Sequence, residues 1–127
     1  MDLKLITGDV VDAALQLHKR LGPGLLESVY EKILKADLVR RGHVVESQKD
    51  VSFDYEGMHF ENGFRLDLLV DNAVILELKS TEKMSPVYAK QLKTYLVLTG
   101  MTVGLVLNFG LPTMMARIER VVNHYAE

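Results

Sequence analysis

Hydrophobic and polar positions alternate most cleanly from Phe64 to Ser80, FRLDLLVDNAVILELKS. Phe64, Leu66, Leu68 and Val70 alternate with Arg65, Asp67 and Leu69. Beyond Asp71-Asn72, Val74, Leu76 and Leu78 alternate with Ile75, Glu77 and Lys79. A period of two around a turn dipeptide predicts a β-hairpin. Its even-numbered face is wholly apolar and is expected to lie on a core. Its odd-numbered face carries Arg65, Asp67, Glu77 and Lys79. A two-residue loop would pair Val70 with Ala73 and mix the two faces. A three-residue loop, Asp71-Asn72-Ala73, pairs Val70 with Val74, which sets Asp67 opposite Glu77 and Arg65 opposite Lys79. A slip of one residue turns every side chain over, so burial selects the second register. Asn72 tolerates the left-handed backbone such a loop uses.

The remaining pattern places this hairpin in a larger sheet. Val10, Ala13, Ala14, Leu17 and Leu21 recur at helical spacing, predicting a helix from Ile6 to Leu21 capped by Thr7 or Asp9. His18 sits at the edge of that stripe and reads as a structural or surface residue. Gly22-Pro23-Gly24 breaks the helix. A second is predicted from Leu25 to Arg41, ended by Gly42, with Leu26, Val29, Tyr30, Ile33, Leu34 and Leu38 on its apolar stripe. Asp37 falls inside that stripe and calls for a buried partner or a polar interior. Val44 to Tyr55 reads as a long strand. Glu56-Gly57 and Asn62-Gly63 read as turns, with Met58 to Phe60 pairing back between them.

After a polar link, Ser80 to Lys83, Ser85 caps a helix with Pro86 in its first turn. It runs to Leu98 and is stopped by Gly100. Thr102 to Phe109 carries an apolar run, Val103-Gly-Leu-Val-Leu, as a strand buried on both faces would. Met114 to Val122 reads as an edge strand with Ala116, Ile118 and Val122 inward, a short helix being the alternative. The ends around Asn123 to Glu127 are expected to fray. The predicted order is α-α-β-β-β-α-β-β, a central mixed sheet flanked by helices in an α/β (α+β) domain.

The chain's 127 residues suit one domain with a real core. There is no cysteine, which excludes disulfides, thiol nucleophiles and thiolate metal sites. A net charge of −2 gives no global field toward nucleic acid, so such binding would need a local patch. No run is long and apolar enough to span a membrane, and the first residues lack a signal-peptide pattern. A soluble cytoplasmic protein is expected.

Two carboxylates placed directly across a strand pair repel each other. Lys79 or a divalent cation could neutralise them, and two or three carboxylates with open water positions suit Mg²⁺ or Mn²⁺. Acids that hold a metal, beside a lysine that orients water or stabilises phosphate charge, are what a metal-dependent phosphodiesterase needs. The bland alternative is a solvated ladder of ion pairs. Asp2-Leu3-Lys4 matches acid-x-Lys equally well. Glu27, on the border of the second helix's stripe, also suits the dipole of a helix's first turn. Gln91 shares a helix face with Tyr88, Leu92 and Tyr95, where packing alone would explain it.

The combination resembles the PD-(D/E)XK nuclease superfamily, and more narrowly the small prokaryotic GxxExxY (GxxExxR) family placed within it. The residues that carry the resemblance are Gly24-Leu-Leu-Glu27-Ser-Val-Tyr30, His18 before Leu-Gly-Pro-Gly, Phe64-Arg-Leu-Asp67, Glu77-Leu-Lys79, Gln91 with Tyr95-Leu96, and Val106-Leu-Asn108-Phe-Gly. Leu66 stands where many superfamily members have proline before the aspartate, and Arg65 beside it could contact phosphate or pair with Asp67.

The resemblance implies a restriction-endonuclease-like core and a Mg²⁺- or Mn²⁺-dependent nuclease. Asp67, Glu77 and Glu27 would be its metal ligands, Lys79 its catalytic lysine and Gln91 a support for the lysine or phosphate. DNA is the expected substrate, with little sequence specificity unless a partner protein supplies it. Lys83, Lys90 and Lys93 could follow a nucleic-acid backbone or simply solvate a helix. The alternative is a non-catalytic nucleic-acid-binding or protein-interaction module that keeps Asp67 and Lys79 as an ion pair. Homodimerisation through the last strand is compatible with either.

Overall fold

The computed structural model describes residues 2–113 and 117–124. Its elements follow the predicted order: α1 (Leu3–Leu21), α2 (Glu27–Arg40), β1 (Val45–Tyr55), β2 (Met58–Val70), β3 (Val74–Lys79), α3 (Pro86–Thr99), β4 (Val103–Asn108) and β5 (Ile118–Val122). The five strands form one sheet in chain order, β1-β2-β3-β4-β5. Among the described residues only the β3–β4 pair is parallel, and it is bridged by α3, because parallel neighbours need a long crossover. α1 and α2 cover one face through Val10, Leu17, Tyr30, Leu34 and Leu38. α3 covers the other through Leu92 and Leu96. β3 and β4 are therefore covered on both sides. No helix among the described residues is long and apolar enough to cross a membrane.

The helix ends show where local signals were sufficient. Ser85 accepts from Val87 N, Pro86 opens α3, and Gly100 closes it at φ 72°. α1 instead starts earlier than predicted. Asp2, not Thr7 or Asp9, is its cap and accepts from Lys4 N and Leu5 N. Asp9 is drawn into tertiary contacts: His43 lies between Asp9 (2.7 Å) and Asp71 (2.5 Å), tying α1 to the β2–β3 turn. Asp37 meets Arg41 at 3.3 Å in a half-exposed pair near the helix end, not a buried partner. His18 is buried, with Nε2 2.8 Å from the Leu111 carbonyl, a structural role.

The three-residue hairpin loop is present. Val70 faces Val74, Leu69 faces Ile75 and Leu68 faces Leu76, with Asp71 and Asn72 both left-handed. The ladder then stops, and Arg65 does not reach Lys79. Its Nε donates to Asp50 Oδ1 on β1 at 2.8 Å instead. The even-numbered face is not one face either. Leu68 and Val70 pack under α1 and α2, whereas Leu66 and Phe64 pack under α3. The change falls where β1 carries Gln48 at φ 52°. Ser47 pairs with Leu68 and Lys49 with Leu66, but Gln48 and Asp67 between them do not pair. A left-handed residue adds local twist, and the ribbon beyond it is turned over.

Asn62-Gly63 is not a turn. β2 runs straight through it, and the register shift between Val51 and Phe53 absorbs the left-handed Asn62 as a bulge. A Cβ on Gly63 would lie 2.4 Å from the Phe53 ring, so glycine is there for packing. At the far edge β5 pairs antiparallel with β4, with Ile118 and Val122 partly buried against the core. Ala116 of the predicted strand lies outside the described residues. Asn123 is not frayed: it is buried, and its Nδ2 donates to the carbonyls of Leu96 and Met101.

β4 ends beneath the polar link after β3. Asn108 Oδ1 accepts from Thr81 N at 3.1 Å and from Gly110 N at 3.0 Å. A Cβ on Gly110 would fall 2.3 Å from the Thr81 backbone. Gly110→Ala must displace the chain that leaves Lys79, and a loss of about 1–3 kcal/mol is expected in urea unfolding. A stability equal to wild type would show that the link moves freely.

Candidate active site

β3 brings the chemistry to the middle of the sheet. Glu77 is one of its buried residues and Lys79 its half-buried end. A strand flanked by helices on both faces has no solvent side, so Glu77 enters the interior although its sequence neighbours only alternate. Asp67 sits one step beyond the last β2–β3 pair. There its carboxylate does what a backbone carbonyl would have done, and Oδ2 accepts from Leu78 N at 2.8 Å.

The two acids meet through their side chains, although the ladder ends before the Asp67–Glu77 pair that the predicted register called for. The Glu77 carboxyl is pushed up to about 9, first by burial, then by the charge of Asp67 and a hydrogen bond with it, with Lys79 pulling the other way. Glu77 is therefore driven toward its protonated form, against the Asp67 side chain. Its Oε1 is buried with no hydrogen-bond partner, a costly position for a polar oxygen.

Lys79 is not paired with Asp67. Its Nζ lies 4.8 Å from the centre of the Tyr88 ring, a cation–π contact that leaves the ammonium beside the acids. Glu27 opens α2, and its Oε1 accepts from Ser80 N at 3.2 Å, so it meets β3 just past Lys79. Tyr30 fixes that corner. Its hydroxyl donates to Gly22 O and its ring stacks on Phe109 at 4.5 Å. The structure thus places Asp67, Glu77, Lys79 and Glu27 around one end of β3. Gln91 stands apart: it is exposed on α3 and makes no side-chain hydrogen bond among the described residues. Arg65 is engaged by Asp50 and not by Asp67.

Glu31, which the sequence did not single out, and Tyr95 also belong here. Glu31 is raised above the ordinary glutamate range by burial first, and the charges of Asp67 and Glu27 raise it further. Tyr95 is raised by burial and by Glu77 and Asp67. Glu31 follows Glu27 at i+4, a spacing that was readable; nothing in the sequence said which face of α2 would meet the acids.

Among the described residues, no three His, Asp or Glu side chains form a group that could hold an ion as placed. The donor set still suits a hard divalent cation. A buried carboxyl oxygen lacks a partner, and a second acid, Asp67, lies against the same side chain.

The raised Glu77 carboxyl sets a direction for stability. The unfolded chain releases that proton from about 4.5 upward, while the folded chain holds it to about 9. Metal-free stability therefore falls as pH rises through this window, by at most about 1.4 kcal/mol per unit. His43, raised first by its hydrogen bond to Asp71, acts in the same direction above its ordinary range. Glu77→Gln should show a flatter pH dependence in urea unfolding than wild type. Equal slopes would mean that folded Glu77 is ionised.

A family model described as the PD-(D/E)XK nuclease superfamily matches residues 4–121. No curated protein matches the chain, and no solved structure does. The matched span contains every element that builds the site, from the α2 acid Glu27 through β3 to α3. The chain belongs to the PD-(D/E)XK nuclease superfamily.

Proposed function

We propose that this protein is a divalent-cation-dependent nuclease of the GxxExxY branch, acting on DNA in the cytoplasm. The observation that carries the reading is the Glu77 carboxyl, buried against Asp67 with one oxygen unpartnered and Lys79 beside it. A structural role gives no reason to hold two acids together in the interior, because an apolar pair there would cost less. Asp67 and Glu77 would hold Mg²⁺ or Mn²⁺, with Glu27 as the third acid. The bound cation would supply positive charge for the phosphate and lower the pKa of an attacking water. Lys79, steadied by Tyr88, would stabilise charge developing on the phosphate. Gln91 would take its part only once substrate lies along α3, since it touches nothing at the site now.

One observation favours the second reading, a non-catalytic binding module. Asp67 Oδ2 and Glu27 Oε1 are already taken by backbone amides. That module was expected to pair Asp67 with Lys79, and Lys79 lies over Tyr88 instead.

Cleavage of labelled single- and double-stranded DNA and RNA, with Mg²⁺ and with Mn²⁺, separates the two. Lys79→Ala is expected to cost at least about 100-fold in rate, and Asp67→Ala should abolish cleavage. Cleavage that survives in both variants would come from a contaminant. A folded, metal-supplied wild type that cuts nothing would favour the binding module.

A further inference from the structure

Gln48 is out of place in a strand. Among the described residues, four other non-glycine residues have positive φ: Glu56, Asn62, Asp71 and Asn72. Each lies at a hairpin turn or at the Asn62 bulge. Gln48, at φ 52°, lies inside β1 with paired neighbours on both sides. Asn and Asp enter the left-handed region readily through local hydrogen bonds, whereas Gln has no such aid. Strain of this kind persists only where the surroundings over-determine it, and it gathers at functional sites.

What holds it is visible. Gln48 Nε2 donates to Glu31 Oε1 on α2 at 2.7 Å. One residue earlier, Lys35 Nζ donates to Ser47 Oγ at 3.3 Å. α2 is therefore stitched to β1 at the twist, from the helix that also carries Glu27. The residue across from Gln48 is Asp67, and the two do not pair. Freed from β1, Asp67 directs its carboxylate at β3, to Leu78 N and Glu77.

We propose that the Glu31–Gln48 hydrogen bond is a positioning element of the site, holding Gln48 left-handed so that Asp67 stays turned away from β1 and toward β3. Glu31 and Gln48 act through Asp67 and need not touch substrate. The consequence for activity rests on the nuclease reading above; the geometry itself does not, and it can be read without metal.

Hydrogen exchange at the Leu78 amide reports it, because that amide's bond goes to Asp67. Asp67→Ala sets the value for complete loss. Gln48→Ala and Glu31→Ala should each speed Leu78 exchange by about tenfold or more, toward that value, while the buried β4 amides hold near wild type. Gln48→Gly, which adopts the left-handed backbone without help, should restore most of the protection. Unchanged Leu78 exchange in the two alanine variants would overturn the proposal, as would a loss shared equally by the β4 amides.

Mn²⁺ titration by calorimetry on the same proteins separates the two claims. A weaker Mn²⁺ affinity in Gln48→Ala, by about tenfold, is expected where wild type binds through Asp67. Wild type without Asp67-dependent binding would overturn the metal reading alone, and the Leu78 amide would still decide the positioning proposal.

Discussion

Everything in this molecule turns on one carboxyl placed where a carboxyl is expensive. β3 lies third of five strands, with α1 and α2 on one face and α3 on the other. Every residue from Val74 to Leu78 is buried, and Glu77 is among them. An ionised glutamate there would lose its hydration with little in return. The protein holds it protonated against Asp67 and leaves Oε1 without a partner. The apolar strand supplies rigid surroundings for this one buried polar group.

The sheet is shaped to make that pairing. Had the β2–β3 ladder continued, Asp67 would have stood beside Glu77 as an ordinary cross-strand neighbour. It stops at Leu68 and Leu76, and the Asp67 side chain takes over the Leu78 amide. The interruption coincides with the twist at Gln48, after which the outer β1–β2 ribbon presents its other face to α3. The opposite end of the site is held by equally specific contacts. Asn108 and Gly110 lock the chain as it leaves Lys79, and Glu27 receives the next amide. Both strands that carry acids are thus fixed at the point of use by bonds outside the regular ladder.

Membership in the nuclease superfamily fits this arrangement without depending on the overall shape. Folds of this kind host many activities, so the functional argument has to come from the acids and the lysine. Four of the five residues expected at the site lie around one end of β3, from three separate elements. The fifth, Gln91, is on the helix that crosses from β3 to β4, outside the acid cluster. Tyr88 and Tyr95 on that helix do reach the site, one beneath Lys79 and the other in the field of the two carboxylates.

The sequence by itself determined what local chemistry controls. Alternation with Asp71-Asn72 fixed the hairpin register, because Val70 opposite Val74 keeps Leu68 and Leu76 together on the face under α1 and α2, and a slip would turn them to the other face. Ser85-Pro86 and Gly100 fixed the ends of α3, since caps act within one turn. The unbroken apolar run of β4 announced a strand covered on both faces. Asp67, Glu77 and Lys79 were legible because they share that register. The rest needed the third dimension. Asn62-Gly63 carries a turn signal, yet Phe53 across the strand pair makes it a bulge. Arg65 finds Asp50 because the β1–β2 register sets the two directly opposite each other. Glu31, Gln48 and Asn108 look like ordinary polar residues until α2, β1 and the β3–α3 link come together. Patterns with short periods record which face is buried; contacts between distant elements, and the backbone strain they hold in place, leave no periodic trace.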